Sequence, residues 1–312
     1  MNNFLNSVIE YGKNYVDQGK LVDYIPILKD ADKNALGACI VDKDGRVYEA
    51  GKSREEFAIM SIVKVILFDI VLDNYKLDEI TKYMRLEGSS KAYNSILDLE
   101  AEGGKPVNPF INAGAITSAY LIYKKFKDKS INVLMKRARL VMENDNLVHN
   151  QTLLDTVKTG GENNLALAWI LKKHGTIDKD TSVDDVLYIY NLACCIMVNT
   201  KDLAVFASMI SKNGKDLQGN QIIKEENARI LRTLMAICGT YDFSGDFAIN
   251  IGIPAKSGVG GGIMATTNKG IGICTFCPGL DSFGNSVAGV KMMEKISKDL
   301  KLNFYWKIYW MK

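Results

Sequence analysis

Histidine is nearly absent from this chain of 312 residues: only His149 and His174 occur. Most serine triads use imidazole as their base, and most transition-metal sites use it as a ligand. A hydrolase built on this chain therefore needs another base, and no metal site is expected. A large charge of one sign is missing too. Lys+Arg 39 against Asp+Glu 36 leaves +3, too little basic excess for a phosphate-binding face, so nucleic acid is not expected as a partner. No apolar run reaches the ~20 residues of a membrane span. The opening MNNFLNSVIEYGKNY, interrupted by Glu10, lacks the apolar stretch of a signal peptide. No membrane partner is expected. Six cysteines are present: Cys39, Cys194, Cys195, Cys238, Cys274 and Cys277. They read as buried or semi-buried free thiols, with a zinc or redox pair at Cys274–Cys277 as the lesser alternative. A cytoplasmic location fits such usage.

What is present is a globular composition, 47% hydrophobic and 24% charged, which excludes a disordered chain. Phe4, Val8, Ile9, Tyr11, Tyr15 and Val16 form a helical stripe over 2–18. Residues 36–50 read as a hairpin turning at Lys43-Asp44-Gly45. A long helical middle follows, with starts near Ser61, Asn112, Ser130, Asn163, Ser182, Thr200 and Glu225. Ser182 with Asp185 suits a capping box, Thr200 an N-cap and Gly214 a C-cap. After residue 245 the segments DFAINIGIPA, GGGIMATTN and GIGICTF read as strands, and 285–300 as a last helix. Strands at both ends with helices between predict an α+β fold whose antiparallel sheet joins the N- and C-terminal parts. The expected organisation is one domain over 1–312. Its sheet part covers about 20–60 and 240–312, and its helical part about 61–239.

Four segments are candidates for chemistry. Ser61-Ile62-Val63-Lys64 opens an almost wholly apolar helix, and a spacing of three puts hydroxyl and amine on one face. Burial disfavours the charged lysine, and a neutral amine is a serviceable base for a serine. The plainer alternative is a capping serine beside a lysine that reaches solvent. Lys256-Ser257-Gly258-Val259-Gly260-Gly261-Gly262 has the Lys-Ser/Thr-Gly signature that accompanies Ser-x-x-Lys nucleophiles in penicillin-interacting enzymes. A phosphate cradle is its rival, without supporting spacing. Lys158-Thr159-Gly160 matches the same signature but reads as a loop. Tyr241, in Cys238–Gly245, is a phenol that could relay protons or could simply pack. In Asn108–Ile116, Asn112 reads on spacing as a helix cap. Asn164 and Tyr190 would pass for surface or packing.

Together these segments resemble the serine-dependent bacterial glutaminase family, related to β-lactamases. The matching stretches are Ser61–Val65, Tyr93-Asn94-Ser95, Val107–Ile116, Asp202-Leu203-Ala204, Cys238-Gly239 with Tyr241-Asp242, and Pro254–Gly262. The resemblance implies a β-lactamase/transpeptidase-like fold, no cofactor, and hydrolysis of L-glutamine to L-glutamate and ammonia through a γ-glutamyl ester. It makes Ser61 the nucleophile, Lys64 its base, and Ser61 and Val259 the oxyanion donors. Tyr241 becomes a proton relay, and Asn112, Asn164 and Tyr190 line the substrate pocket. It also implies a homodimer or homotetramer. One departure stands out. Where the family has a glutamate facing the substrate's ammonium, seven residues before Asn164, this chain has Val157. Asp155 or Glu162 would have to substitute. A smaller departure is Met60, where a glutamine commonly precedes the nucleophile. These departures keep another amide substrate, or a weakly active binding scaffold, as the alternative. The aromatic tail Phe304–Trp310 reads as a cover for the domain's own core or an oligomer contact, with a membrane-surface anchor as the lesser option.

Overall fold

The structure, a computed structural model, describes residues 1–89, 94–159 and 161–305. Its elements in chain order begin with α1 (Asn2–Lys13), α2 (Pro26–Lys29), β1 (Gly37–Val41), β2 (Val47–Gly51) and β3 (Phe57–Ala58). The helical middle holds α3 (Lys64–Asn74), α4 (Leu77–Tyr83), α5 (Ile96–Ala101), α6 (Asn112–Phe126), α7 (Ser130–Met142), α8 (Gln151–Thr159), α9 (Glu162–Lys173) and α10 (Val183–Cys194). Then follow β4 (Met197–Val198), α11 (Thr200–Ser211), α12 (Glu225–Cys238), α13 (Ser244–Asn250), β5 (Ala255–Ser257), β6 (Gly262–Thr266), β7 (Gly272–Phe276) and α14 (Val287–Asp299).

The main sheet runs β2-β1-β7-β6-β5, antiparallel throughout, so the N-terminal hairpin is completed by the C-terminal strands. Strand alternation feeds two cores. Ala38, Ile40, Ile263, Ala265 and Ile273 face α1 and α14, meeting Leu5, Val8, Met292 and Ile296. Cys39, Val41, Met264, Cys274 and Phe276 face the helical middle. There α11 lies across the sheet, so close that a Cβ on Gly272 would sit 2.1 Å from the Ala204 carbonyl. All six cysteines are buried free thiols. No helix among the described residues is long and apolar enough to cross a membrane. Phe304 packs on the outer core; residues 306–312 of the tail lie outside the described residues.

Several local expectations are corrected. Residues 244–250 are helical, so only the end of DFAINIGIPA is strand. Phe247 and Ile251, four apart, enter the outer core while Ile249 is 77% exposed, and that helical pairing overrides the apparent alternation. Thr200 is not a cap. The side chain of Asn199 accepts from the N–H groups of Lys201 and Asp202, and Asp202 accepts from the Asn199 N–H in return. Ser182 does cap α10, accepting from the Asp185 N–H. Gly214 closes the end of α11 by donating to the Met209 carbonyl, but Lys212 is the C-cap and Asn213 takes the left-handed position with φ 56. Lys158 and Thr159 end α8 instead of forming a loop, and Gly160 lies outside the described residues.

Candidate active site

Ser61 sits in a tight 3-10 turn, Met60–Val63, that feeds directly into α3. Met60 adopts φ 46 just before it, an unfavourable left-handed conformation for a side chain of that size. Because α3 is buried on every side from Lys64 to Leu72, Lys64 is wholly enclosed instead of reaching solvent. Its Nζ donates to the Phe110 carbonyl (3.0 Å) and to Asn112 Oδ1 (2.7 Å). Burial lowers its pKa to about 8, against a weaker opposite pull from Cys194 and Cys238.

The acceptors for that amine come from the approach to α6. Asn108 Oδ1 accepts from the N–H groups of Phe110 and Ile111, which curls the chain before the helix. Ile111 occupies the N-cap, so Asn112 is already inside the helix and its side chain caps nothing. Its Nδ2 donates to Asn164 Oδ1 (2.9 Å), and the Tyr190 hydroxyl approaches Asn112 Oδ1 at 3.4 Å. Helices α6, α9 and α10 thus bring together three residues that spacing left as a cap, a surface group and packing.

The opposite wall is the turn between β5 and β6. Gly258 donates to the Gly262 carbonyl and Gly261 to the Gly258 carbonyl, which folds 258–261 tightly. A Cβ on Gly258 would stand 2.8 Å from the Ile59 carbonyl and 3.3 Å from the Ser61 nitrogen. Only glycine lets this turn lie against the Ser61 segment. Lys256 is fully buried beneath it, donating to the carbonyls of Gly239 (2.9 Å) and Ser257 (2.8 Å). Its Nζ stands 4.3 Å from the Tyr241 ring centroid. Burial, then repulsion from Lys64, holds its pKa well below the usual lysine value. The Tyr241 hydroxyl donates to the Ser257 carbonyl at 3.3 Å, and Tyr241 has φ 57. Lys256 as a second buried amine was not anticipated; its place beside Tyr241 depends on the β5 register, which no local pattern reports.

Between these walls lies a cleft of about 420 Å³, with Ser61, Val259, Asn112, Asn164 and Tyr190 on its surface. Lys64 and Tyr241 are buried behind it. Five asparagines line the cleft: Asn94, Asn112, Asn163, Asn164 and Asn191. Asn163 and Asn191 are sequence neighbours of residues singled out above. Cys194 also lines it, one turn beyond Tyr190 on α10. Sequence reasoning gives none of these three a place in the cleft, because helical neighbours carry no distinguishing pattern. Tyr93 lies outside the described residues; Ser95 caps α5. Thr156 and Val157 form part of the cleft wall. Asp155 is exposed and accepts from Gln151, while Glu162 faces a neighbouring cavity, so neither replaces a carboxylate at Val157.

Comparison with known proteins adds an independent observation. A family model described as Glutaminase matches residues 19–305. Glutaminase 2 of Clostridium perfringens (strain 13 / Type A) is 42% identical over 308 residues, covering 98% of this chain and 100% of that protein. The glutaminase of Clostridioides difficile (strain 630) is 40% identical over 303 residues, covering 96% and 97%. A solved structure described as a probable glutaminase from Bacillus subtilis complexed with 6-diazo-5-oxo-L-norleucine superposes with a TM-score of 0.88 at 27% identity, covering 97% of each chain.

Proposed function

The chain belongs to the glutaminase family and is an amidohydrolase; from that premise we propose how its own residues carry out the reaction. Ser61 is the nucleophile and Lys64 its general base. The observation that carries this reading is the buried Lys64 amine with its two acceptors. In the neutral amine both N–H bonds serve those acceptors, which leaves the lone pair to take the Ser61 proton. Ser61 Oγ then attacks the γ-carboxamide carbon of L-glutamine. The N–H groups of Ser61 and Val259 hold the oxyanion, a contribution of about 3–4 kcal/mol per donor. Collapse of the tetrahedral species expels ammonia, which takes its proton from Lys64 with Tyr241 as relay. Water then hydrolyses the γ-glutamyl ester by the same route. Asn112, Asn164 and Tyr190 bind the substrate, and Asn112 also fixes the lysine. No cofactor takes part in this route.

Ammonia release from L-glutamine by Ser61→Ala decides the assignment. Activity should fall by a factor of about 10⁴ or more, with the unfolding midpoint unchanged. Retained turnover would remove Ser61 from the mechanism. The buried free thiols suit the reducing cytoplasm. Exposed Trp169 on α9 suits a contact in a homodimer or homotetramer.

A further inference from the structure

The cleft has many hydrogen-bonding groups and no charge. Among the described residues, none of those lining it is aspartate, glutamate, lysine or arginine. The residues outside the description, 90–93, 160 and 306–312, contain no aspartate or glutamate. Among the described residues, the lining of the cleft itself therefore holds no acidic side chain. The wall formed by Thr156 and Val157 offers one hydroxyl and one isopropyl group. That hydroxyl already donates to the Thr152 carbonyl at 3.0 Å.

A free amino acid brings an ammonium into this space. Its partners would be neutral carboxamides, which replace water poorly for a full positive charge. An acylated nitrogen carries one N–H and no charge, and a single amide oxygen satisfies it. The far side of the cleft also continues outward. A second cavity of about 520 Å³ shares Gly161, Asn164 and Asn191 with the first and adds Leu165, Leu187 and Tyr188, with the carboxylates Glu162, Asp184 and Asp185 on its walls. An acyl substituent has an onward path there, past side chains that are partly apolar. Lys158 lines that cavity with its ammonium 4.6 Å from the Tyr188 ring, so a cation already occupies part of that wall.

We propose that this enzyme accepts glutamine whose α-nitrogen is acylated, as in an N-acyl amino acid or a short peptide, with a kcat/KM within tenfold of that for free glutamine or above it. The proposal rests on the Ser61 reading above and concerns only what surrounds the α-carbon. The reaction is unchanged in its balance. Water supplies the oxygen and a proton, the γ C–N bond breaks, and ammonia leaves an N-acyl glutamate.

The test compares kcat/KM for ammonia release from L-glutamine and from Nα-acetyl-L-glutamine at pH 8, with wild type, Val157→Glu and Thr156→Glu. The expected wild-type value for the acetylated amide is no more than tenfold below that for glutamine. At least one carboxylate variant should move the ratio tenfold or more toward free glutamine, since a wall that lacks a counter-ion gains one. A wild-type preference for free glutamine above tenfold overturns the proposal and leaves the Ser61 mechanism standing. So does a ratio that neither variant moves while both remain folded by circular dichroism. Absence of turnover with both amides overturns the underlying amidohydrolase reading instead.

Discussion

At the scale of single residues, the site depends on where one proton sits. On the proposed mechanism Lys64 acts as a base only when neutral, and burial brings its pKa down to about 8. Below that value it is protonated and cannot accept from Ser61; above it the amine can take the proton. The logarithm of kcat/KM should therefore rise with pH up to about 8 and level off beyond, in a profile measured with the acetylated amide, whose α-nitrogen does not titrate in this range. A profile flat from pH 6 to 9 would count against Lys64. The Asn112 side chain provides a sharper check because its Oδ1 lies 2.7 Å from Nζ. Asn112→Asp puts a carboxylate there and favours the protonated amine by about 1–3 pH units. The rising limb should move to higher pH by that amount, and activity at pH 7.5 should drop about eightfold or more. An unshifted profile would mean that the amine detected is another one, and Lys256 is the nearest alternative.

At the scale of elements, catalytic geometry depends on two backbones lying almost in contact. The 258–261 turn reaches the Ser61 segment only because position 258 has no side chain. Gly258→Ala should push the turn outward and displace the Val259 N–H from the oxyanion. We expect kcat to fall by about 10²–10³, the usual loss for one such donor, with cooperative urea unfolding preserved. A variant with normal kcat would show that the turn supplies no donor. This scale also explains what could be read from the chain. The hairpin 36–50 was legible because its turn residues and apolar runs are adjacent in sequence, and Gly45 indeed takes φ 84. Ser61 and Lys64 were legible because one helical turn joins them. Asn112, Asn164 and Tyr190 were not legible from spacing, since three different helices bring them together; only the family resemblance singled them out. The strand expected at 246–250 failed because alternating Phe247, Ile249 and Ile251 fits two periods, and only tertiary packing shows which pair is buried.

At the scale of the whole molecule, the cleft is a seam. Ser61, Lys64 and Asn112 belong to the helical middle, while Val259, Lys256 and Tyr241 come from the strands and turns on the sheet side. Neither group forms a site alone. In a urea titration, ammonia release and far-UV circular dichroism should therefore fall at the same midpoint, as one transition. An activity loss well before the spectroscopic change would instead reveal a sheet that loosens independently of the helices.

The strand order has a consequence for the protein's synthesis. Strand β1 pairs with β7, so β1 has only β2 beside it until residues 272–276 leave the ribosome. Two-stranded ribbons are at best marginally stable in water. The helical middle emerges in the meantime with Ser61, the proposed nucleophile, already in the turn before α3, but without the 258–261 turn that would complete the proposed oxyanion pair. On the proposed mechanism a nascent chain should therefore be catalytically silent, with hydrolysis starting only when the last strands close the sheet.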